Sequence, residues 1–254
     1  MHTTASLQSE HRETPISPAR VTPHEEGRAA LYALTAALLL PASSDDGEPL
    51  LAALRDTDVS QTVGDPPLAQ ALNALALAAR DMDTVALADE YGAIFVDASP
   101  PQVDPSASKY CVRRSGNTLA DVRAALGGLG LVRRHGIAEA EDHVGMLCEA
   151  MRLLVAGAPG VAPRPFAQQR AFFEAHLAPW YQACANDIRS ARGANFFGRV
   201  ADVMEAFLDV EATAFALGDI VGGRRRVKPR NPAEEMRHAS AVGRSRGSAW
   251  PNRK

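Results

Sequence analysis

Residues 139–154 read EAEDHVGMLCEAMRLL, a group of acids and one histidine that runs directly into an apolar segment. From Val144 onward the apolar residues recur at i, i+3, i+4 and i+7, which is the spacing of a helix with one buried face. A carboxylate at the start of such a helix accepts hydrogen bonds from free backbone N–H groups and complements the positive end of the helix dipole. We therefore predict a helix whose start is capped by Asp142, alone or together with Glu141.

The same acids and His143 have a second interpretation. Polar groups at the mouth of a helix, beside an apolar face, suit the recognition of a short segment that is both amphipathic and basic. Capping is the simpler interpretation, because acids at helix starts are usually caps. The segment by itself leaves both interpretations open.

Helical patterns extend over most of the remaining chain. Alanine and leucine dominate the apolar residues, and Val and Ile do not alternate with polar residues, so strands are poorly supported. Nearly every proline falls between the periodic segments, and the last helix is predicted to cover roughly 195–217 and to be closed by Gly218. We predict an all-α fold, a single globular bundle of about eight to ten helices with disordered tails. The predicted organisation is a disordered leader over 1–24, a helical domain over 25–218 and a basic disordered tail over 219–254.

Charge is distributed unevenly along the chain. Residues 224–254 contain ten Lys or Arg and two Glu, whereas the rest of the chain contains 17 basic and 28 acidic residues. An acidic body favours cationic partners and disfavours nucleic acid, and a basic tail does the reverse. One hypothesis is that the basic tail folds back on the acidic body until the positive charges of a partner displace it; a solvated tail is the simpler alternative.

Cysteine spacing and hydropathy indicate a reducing, cytoplasmic environment. Cys111, Cys148 and Cys184 are far apart and form no CxxC or metal-like spacing, so we expect reduced residues of the core. No 18-residue apolar run is present, and the N-terminal residues lack the apolar segment of a secretion signal. The expected location is the cytoplasm.

Four motifs occur in a characteristic order. They are YGAIF at 91–95, PSASKY at 105–110, EAEDH at 139–143 and FEAHLAPW at 173–180, and a last core helix follows over 195–211. In this order and spacing the chain resembles the TorD/DmsD/NarJ family of cytoplasmic chaperones for the maturation of molybdenum-cofactor enzymes. The resemblance covers about residues 25–217.

The chain also departs from the family pattern at three positions. Ala140 replaces the usual proline of the acidic motif, Ala107 stands where many relatives carry an acid, and Leu126 stands where an aromatic residue is common. These departures affect fine specificity more than family membership.

The resemblance implies an all-α protein that is not an enzyme and needs no cofactor. Its partner would be the apo catalytic subunit of a molybdenum-cofactor oxidoreductase or its twin-arginine signal peptide, with no membrane insertion, and the protein would be a monomer or a homodimer. A twin-arginine signal combines two guanidinium groups with an apolar helix-forming stretch, so a binder needs carboxylates beside an apolar groove. The candidate carboxylates are Glu141 and Asp142, with Asp97 or Asp104 as further possibilities.

Apolar and loop residues complete the candidate site. Tyr91, Phe95, Tyr110 and Leu147 are candidates for the wall of the groove, although Tyr91 and Phe95 equally suit ordinary core packing. Ser108 and Tyr110 lie on a predicted long loop over 97–117, where binding residues are over-represented. The complete candidate set for client binding is Tyr91, Phe95, Asp97, Ser108, Tyr110, Glu141, Asp142, His143 and Leu147.

Two alternative functions follow from other residue patterns. His135, Glu139, Asp142 and His143 form a set of potential metal ligands, which a metal protein or hydrolase would use. No HExxH motif or nucleophile–base pair accompanies them. The basic tail would bind nucleic acid non-specifically, as an accessory property, because the core contains no recognisable nucleic-acid module.

Overall fold

The computed structural model describes residues 21–41, 47–56, 66–111, 117–133 and 138–224, with side chains through 218. Within these ranges the regular secondary structure is entirely helical, and the backbone pairings of Ser106 with His143 and of Ala158 with Val161 are isolated bridges. The predicted all-α class and helix number are confirmed. The ten helices are α1 (Pro23–Leu39), α2 (Gly47–Arg55), α3 (Pro66–Arg80), α4 (Thr84–Phe95), α5 (Ala107–Tyr110), α6 (Thr118–Gly128), α7 (Val144–Ala156), α8 (Phe166–His176), α9 (Tyr181–Ser190) and α10 (Phe196–Arg224).

Two helix predictions are wrong. The segment 97–117 is not a continuous loop, because α5 forms one helical turn within it. The last helix does not end at Leu217, since α10 continues through Gly218 to Arg224. A glycine inside a helix costs only about 1 kcal/mol relative to alanine, so Gly218 does not by itself terminate the helix.

The chain divides into two compact units, Met1–Ala212 and Thr213–Lys254. The described part of the second unit is helical as far as Arg224. Most of the predicted leader and most of the predicted basic tail lie outside the described residues. Everything that concerns the candidate site lies in the first unit.

Local capping explains where the long helices begin. Thr22 and Glu25 form a reciprocal capping box at the start of α1, in which the Thr22 hydroxyl accepts from the Glu25 N–H and the Glu25 carboxylate accepts from the Thr22 N–H. At the start of α10 the cap comes from another helix, because the Glu90 carboxylate of α4 accepts from the backbone N–H groups of residues 195, 196 and 197. This cap fixes α4 against the N-terminus of α10.

The core is built around α7. α7 makes an extensive helix-to-helix contact with α1 and a smaller one with α8. The stripe that the sequence predicts on α7 is confirmed, since its members are at most 1% exposed. Cys184 is also buried and Cys111 is partly exposed, and all three cysteines are free thiols. The stripe consists of Leu147, Cys148, Met151, Leu154 and Val155.

A buried polar network joins α1, α8 and α10. Arg28 donates two hydrogen bonds of 2.7 Å to the carboxylate of Glu211, which also accepts from the Tyr32 hydroxyl at 2.8 Å. Gln169 accepts a further bond from Arg28 at 3.0 Å. Removing one member of such a pair would leave a buried charge uncompensated, which lowers the free energy of unfolding by about 3–5 kcal/mol. The network therefore sets the register of the three helices.

In the described residues no helix is both long enough and apolar enough to cross a membrane.

Candidate functional site

Two of the predicted motif segments meet through their backbones. The N–H of Ala107 donates to the carbonyl of Asp142 at 2.9 Å, and the N–H of Val144 donates to the carbonyl of Pro105 at 2.8 Å. Residues 105–107 and 142–144 therefore pair antiparallel over one bridge. We call this pairing the motif crossing. It brings the Ser-x-Tyr segment and the acidic motif together although they are far apart in sequence.

Asp142 uses its side chain within the motif crossing. It is 1% exposed, and its Oδ2 accepts a hydrogen bond of 3.0 Å from the backbone N–H of Ser108, in the first turn of α5. The sequence-based prediction that Asp142 caps α7 is therefore wrong. The cap of α7 is His143, whose Nδ1 accepts from the N–H of Gly145 at 3.1 Å. Asp142 caps a helix, but the helix belongs to a distant segment.

His143 is held in its neutral form. Burial lowers its pKa to about 4, although the nearby carboxylates of Asp104 and Asp142 favour the protonated form. The hydrogen bond that Nδ1 accepts assigns the remaining ring proton to Nε2. With only 7% of its surface exposed, His143 serves the start of α7 rather than a surface contact in this conformation.

Glu141 already pairs with two cations of its own chain. Its carboxylate lies 3.0 Å from Nε of Arg123 and 3.6 Å from Nε of Arg133, and its side chain is 13% exposed. Partial burial acts to raise the pKa of Glu141, but a backbone hydrogen bond and the two arginines outweigh it, and the pKa is lowered. An incoming guanidinium would have to displace these partners.

Tyr110 and Ser108 extend from α5. The Tyr110 ring stacks on Trp180 with 5.3 Å between centroids, and its hydroxyl donates to Asp187 at 3.0 Å. Burial, with smaller contributions from Cys184 and Asp187, raises the pKa of Tyr110. Ser108 is exposed. Trp180 is 2% exposed, as expected for a structural residue.

The aromatic candidates on α4 pack against α10. The centroid of Phe197 lies 5.6 Å from that of Tyr91 and 5.4 Å from that of Phe95, and Tyr91 and Phe95 are 4.9 Å apart. The Tyr91 hydroxyl donates to the carbonyl of Leu39 at 3.4 Å. Burial raises the pKa of Tyr91, and the carboxylate of Glu139 adds to the increase. Leu147 is fully buried in the core and forms no part of a surface wall here.

A cleft of about 470 Å³ opens between the end of α1, the start of α2 and one face of α4. We call it the apolar cleft. Tyr91 and Asp97 line it, whereas the residues of the acidic motif do not. Val85 and Val96 on its rim are 67% and 61% exposed. Its lining residues are Ala37, Leu38, Leu40, Pro41, Gly47, Leu50, Thr84, Val85, Leu87, Ala88, Asp89, Tyr91, Gly92, Val96, Asp97 and Phe197.

The apolar cleft is charged with one sign only. Asp89 and Asp97 are exposed, no lining residue is basic, and neither carboxylate takes part in an ion pair within the described ranges. Asp97 follows the C-terminus of α4, and its N–H donates to the carbonyl of Gly92 at 2.8 Å. A carboxylate at a helix C-terminus faces the negative end of the dipole, which is unfavourable by about 0.3–1 kcal/mol. A cationic partner bound to Asp97 would offset this unfavourable interaction, because a positive charge is favoured at a helix C-terminus.

The structure thus separates the predicted site into two groups. Tyr91 and Asp97 line the apolar cleft and Phe95 packs behind it. Of the α4 residues that line the cleft, the sequence-based candidate set included only Tyr91. The signal in the sequence was weak, because Val85, Ala88 and Val96 recur at i, i+3 and i+11 but Asp89 and Gly92 on the same face interrupt the apolar pattern. The second group, at or next to the motif crossing, is Ser108, Tyr110, Glu141, Asp142, His143 and Leu147.

The predicted metal-ligand set is only partly described. His135 lies outside the described residues. Within them, no group of three or more His, Cys, Asp or Glu side chains is arranged to hold a metal ion.

A family model described as nitrate reductase delta subunit matches residues 63–186. This range contains α3 to α8, most of α9, both segments of the motif crossing and the α4 face of the apolar cleft. No curated protein matches the chain.

Replacing Asp142 by alanine should destabilise the protein. The substitution removes a buried, charge-assisted acceptor from the Ser108 N–H, and we expect the free energy of unfolding in urea to fall by about 1.5–3 kcal/mol. Ser108→Ala is the matched control, because the donor is a backbone N–H that alanine keeps. An Asp142→Ala variant as stable as the control would contradict the capping role.

The depressed pKa of His143 predicts a pH dependence. Its folded pKa of about 4 lies below the value of about 6.5 in an unfolded chain, so the unfolded state takes up the proton first. Stability from this group is complete above pH 6.5 and is lost as pH falls from about 6.5 to 4, by up to about 3 kcal/mol.

The variant His143→Asn isolates this contribution. Asparagine can still cap α7 but does not titrate in this range. The difference in unfolding free energy between the wild type and the variant should therefore change with pH between 6.5 and 4 and stay constant above 7. A difference that is independent of pH throughout would show that His143 is not held neutral.

Proposed function

The chain belongs to the NarJ/TorD-type family of molybdoenzyme maturation chaperones, and from that premise we propose that it binds the twin-arginine signal peptide of an apo molybdenum-cofactor oxidoreductase subunit in the cytoplasm. The family consists of chaperones rather than catalysts, and its partners are molybdoenzyme subunits. Binding would hold the subunit back from export until its cofactor has been inserted.

The apolar cleft is the observation that carries the proposal. An apolar floor with two carboxylates and no basic residue complements a segment in which guanidinium groups precede an apolar helix. Tyr91 and Asp97, both in the predicted site, line this cleft. We propose that the client lies across α4, with its arginines near Asp89 and Asp97.

The two parts of the cleft have different tasks. Exposed Arg–carboxylate pairs contribute about 0.2–1 kcal/mol each, so they select a client more than they hold it. Burial of apolar surface contributes about 25 cal/mol per Å², so the apolar floor supplies most of the affinity. Guanidinium would be preferred over ammonium, because its planar fork of donors matches a carboxylate.

The acidic motif supports the client site indirectly in this proposal. Glu141 is engaged by Arg123 and Arg133, and Asp142 and His143 are buried in the motif crossing. Direct contact of Asp142 or His143 with the client would require the motif crossing to open, and direct contact of Glu141 would require its two arginine partners to be displaced. Direct contact through Asp89 and Asp97 needs no such rearrangement.

Exposed valines on the cleft rim test the apolar contribution. The double substitution Val85→Ser and Val96→Ser should weaken binding of a synthetic peptide with two arginines and an apolar helical segment by about tenfold, measured by calorimetry. Val132→Ser is the matched control, since Val132 is 89% exposed and does not line the cleft. Equal losses in both variants would reject the cleft as the binding site.

Carboxylate substitutions test the selection of arginine. Replacing Asp89 and Asp97 together by asparagine should reduce the preference for the Arg-Arg peptide over its Lys-Lys version, because the bidentate pairing is lost. The expected loss of affinity for the Arg-Arg peptide is about five- to tenfold and should shrink at high salt.

Asp56→Asn provides the control for this test. Asp56 is also an exposed aspartate directly after a helix, and its N–H donates to the carbonyl of Ala52. It lies outside the lining of the cleft, so its substitution should leave both peptides unaffected. An unchanged Arg-Arg preference in the Asp89 and Asp97 variant would refute charge selection at this site.

A further inference from the structure

Gly145 supports one wall of the apolar cleft from behind. A Cβ atom built on Gly145 would lie 2.7 Å from Cγ and 3.0 Å from Cδ2 of Leu40, which is too close for unstrained packing. Leu40 therefore packs directly on the bare α-carbon of Gly145. The same leucine lines the apolar cleft. One side of Leu40 faces α7, and the cleft lies beside it.

The position of Leu40 is constrained by the end of α1. Leu40 is the C-cap residue of that helix in an extended conformation, and its N–H donates to the carbonyl of Ala36. The preceding carbonyl, that of Leu39, accepts from the hydroxyl of Tyr91 on the cleft. These two hydrogen bonds hold the backbone at Leu39 and Leu40. A new side chain at position 145 would therefore be accommodated by movement of the Leu40 side chain.

The position of Gly145 is fixed by the acidic motif. Its N–H donates to Nδ1 of His143, and the backbone of His143 is part of the motif crossing. Gly145 has ordinary helical backbone angles, and glycine in a helix costs about 1 kcal/mol relative to alanine. Backbone conformation therefore does not require glycine here. The close approach of Leu40 does.

We propose that Gly145 is a specificity-determining position for the client: by allowing Leu40 to lie against α7, it sets the depth of the apolar cleft and hence the size of the client side chain accepted there. The inference rests on the proposed function of the cleft. In this inference the acidic motif influences client binding without touching the client, because His143 positions Gly145 and Gly145 positions Leu40 in the cleft wall.

The substitution Gly145→Ala tests this inference. The new methyl group should displace Leu40 toward the cleft and make the cleft shallower. The probes are three synthetic twin-arginine peptides that differ only in one apolar position, which is Ala, Leu or Phe. We expect the variant to lose at least about tenfold in affinity for the best-binding larger peptide and to lose little for the Ala peptide.

Changes at Leu40 provide the compensating experiment. Leu40→Ala alone deepens the cleft and should shift the preference toward the Phe peptide. The double variant Gly145→Ala and Leu40→Ala should recover binding of the larger peptides, because the displaced side chain is gone. A general loss of stability in Gly145→Ala would lower the affinity for all three peptides alike, whereas the inference requires a change in their ratio.

Gly127→Ala is the matched glycine control. Gly127 also lies in a helix, but a Cβ built there meets no atom within 4 Å, so the three affinities should not change. If the wild type binds the peptides and neither the Gly145 nor the Leu40 variants change the order of preference, the inference is overturned while the proposed function stands. If the wild type binds none of the peptides, both are overturned. Should Gly145→Ala fail to fold, the double variant Gly145→Ala and Leu40→Ala decides: the inference requires it to fold and to bind the larger peptides, and failure of either overturns the inference.

Discussion

The motif crossing, the antiparallel pairing of residues 105–107 with 142–144, is the constraint on which the arrangement around α7 depends. It buries the carboxylate of Asp142 against the start of α5 and leaves His143 to cap α7. Because α7 then begins at Val144, Gly145 lies next to the end of α1 and Leu40 packs against it. Two backbone hydrogen bonds thus determine the start of the central core helix and the shape of the neighbouring surface.

Two sets of charged groups in the described residues have different consequences. Arg28 and Glu211 are buried and pair with each other, and Glu141 is shared between two arginines, so these charges stabilise the chain itself. Asp89 and Asp97 are exposed on an apolar cleft without a basic neighbour in its lining. Charges that remain uncompensated beside apolar surface are the ones available to a cationic partner. This distinction moves the proposed contact from the acidic motif to α4.

The candidate site could be predicted from the sequence only in part. Tyr91 and Asp97 were identified and do line the cleft, but Asp142 was assigned to the wrong helix. A side chain at a helix start has the same sequence pattern whether it caps its own helix or a segment 34 residues away, as Asp142 does for Ser108. The cleft-lining face of α4 was overlooked because it shares the helix with the aromatic face, and the spacing of apolar residues does not tell which of two faces becomes covered.

The sequence by itself determined the all-α class, the buried stripe of α7 and the chain's resemblance to a chaperone family, because periodicity, proline positions and motif order are local properties of the chain. Only the tertiary structure decided which carboxylates form hydrogen bonds within the chain and which remain exposed. It also decided that a side chain at position 145 would collide with Leu40, which lies more than 100 residues earlier in the chain. The physical reason is that burial and partner choice depend on neighbours in space, and the spacing of residues along one segment does not encode them.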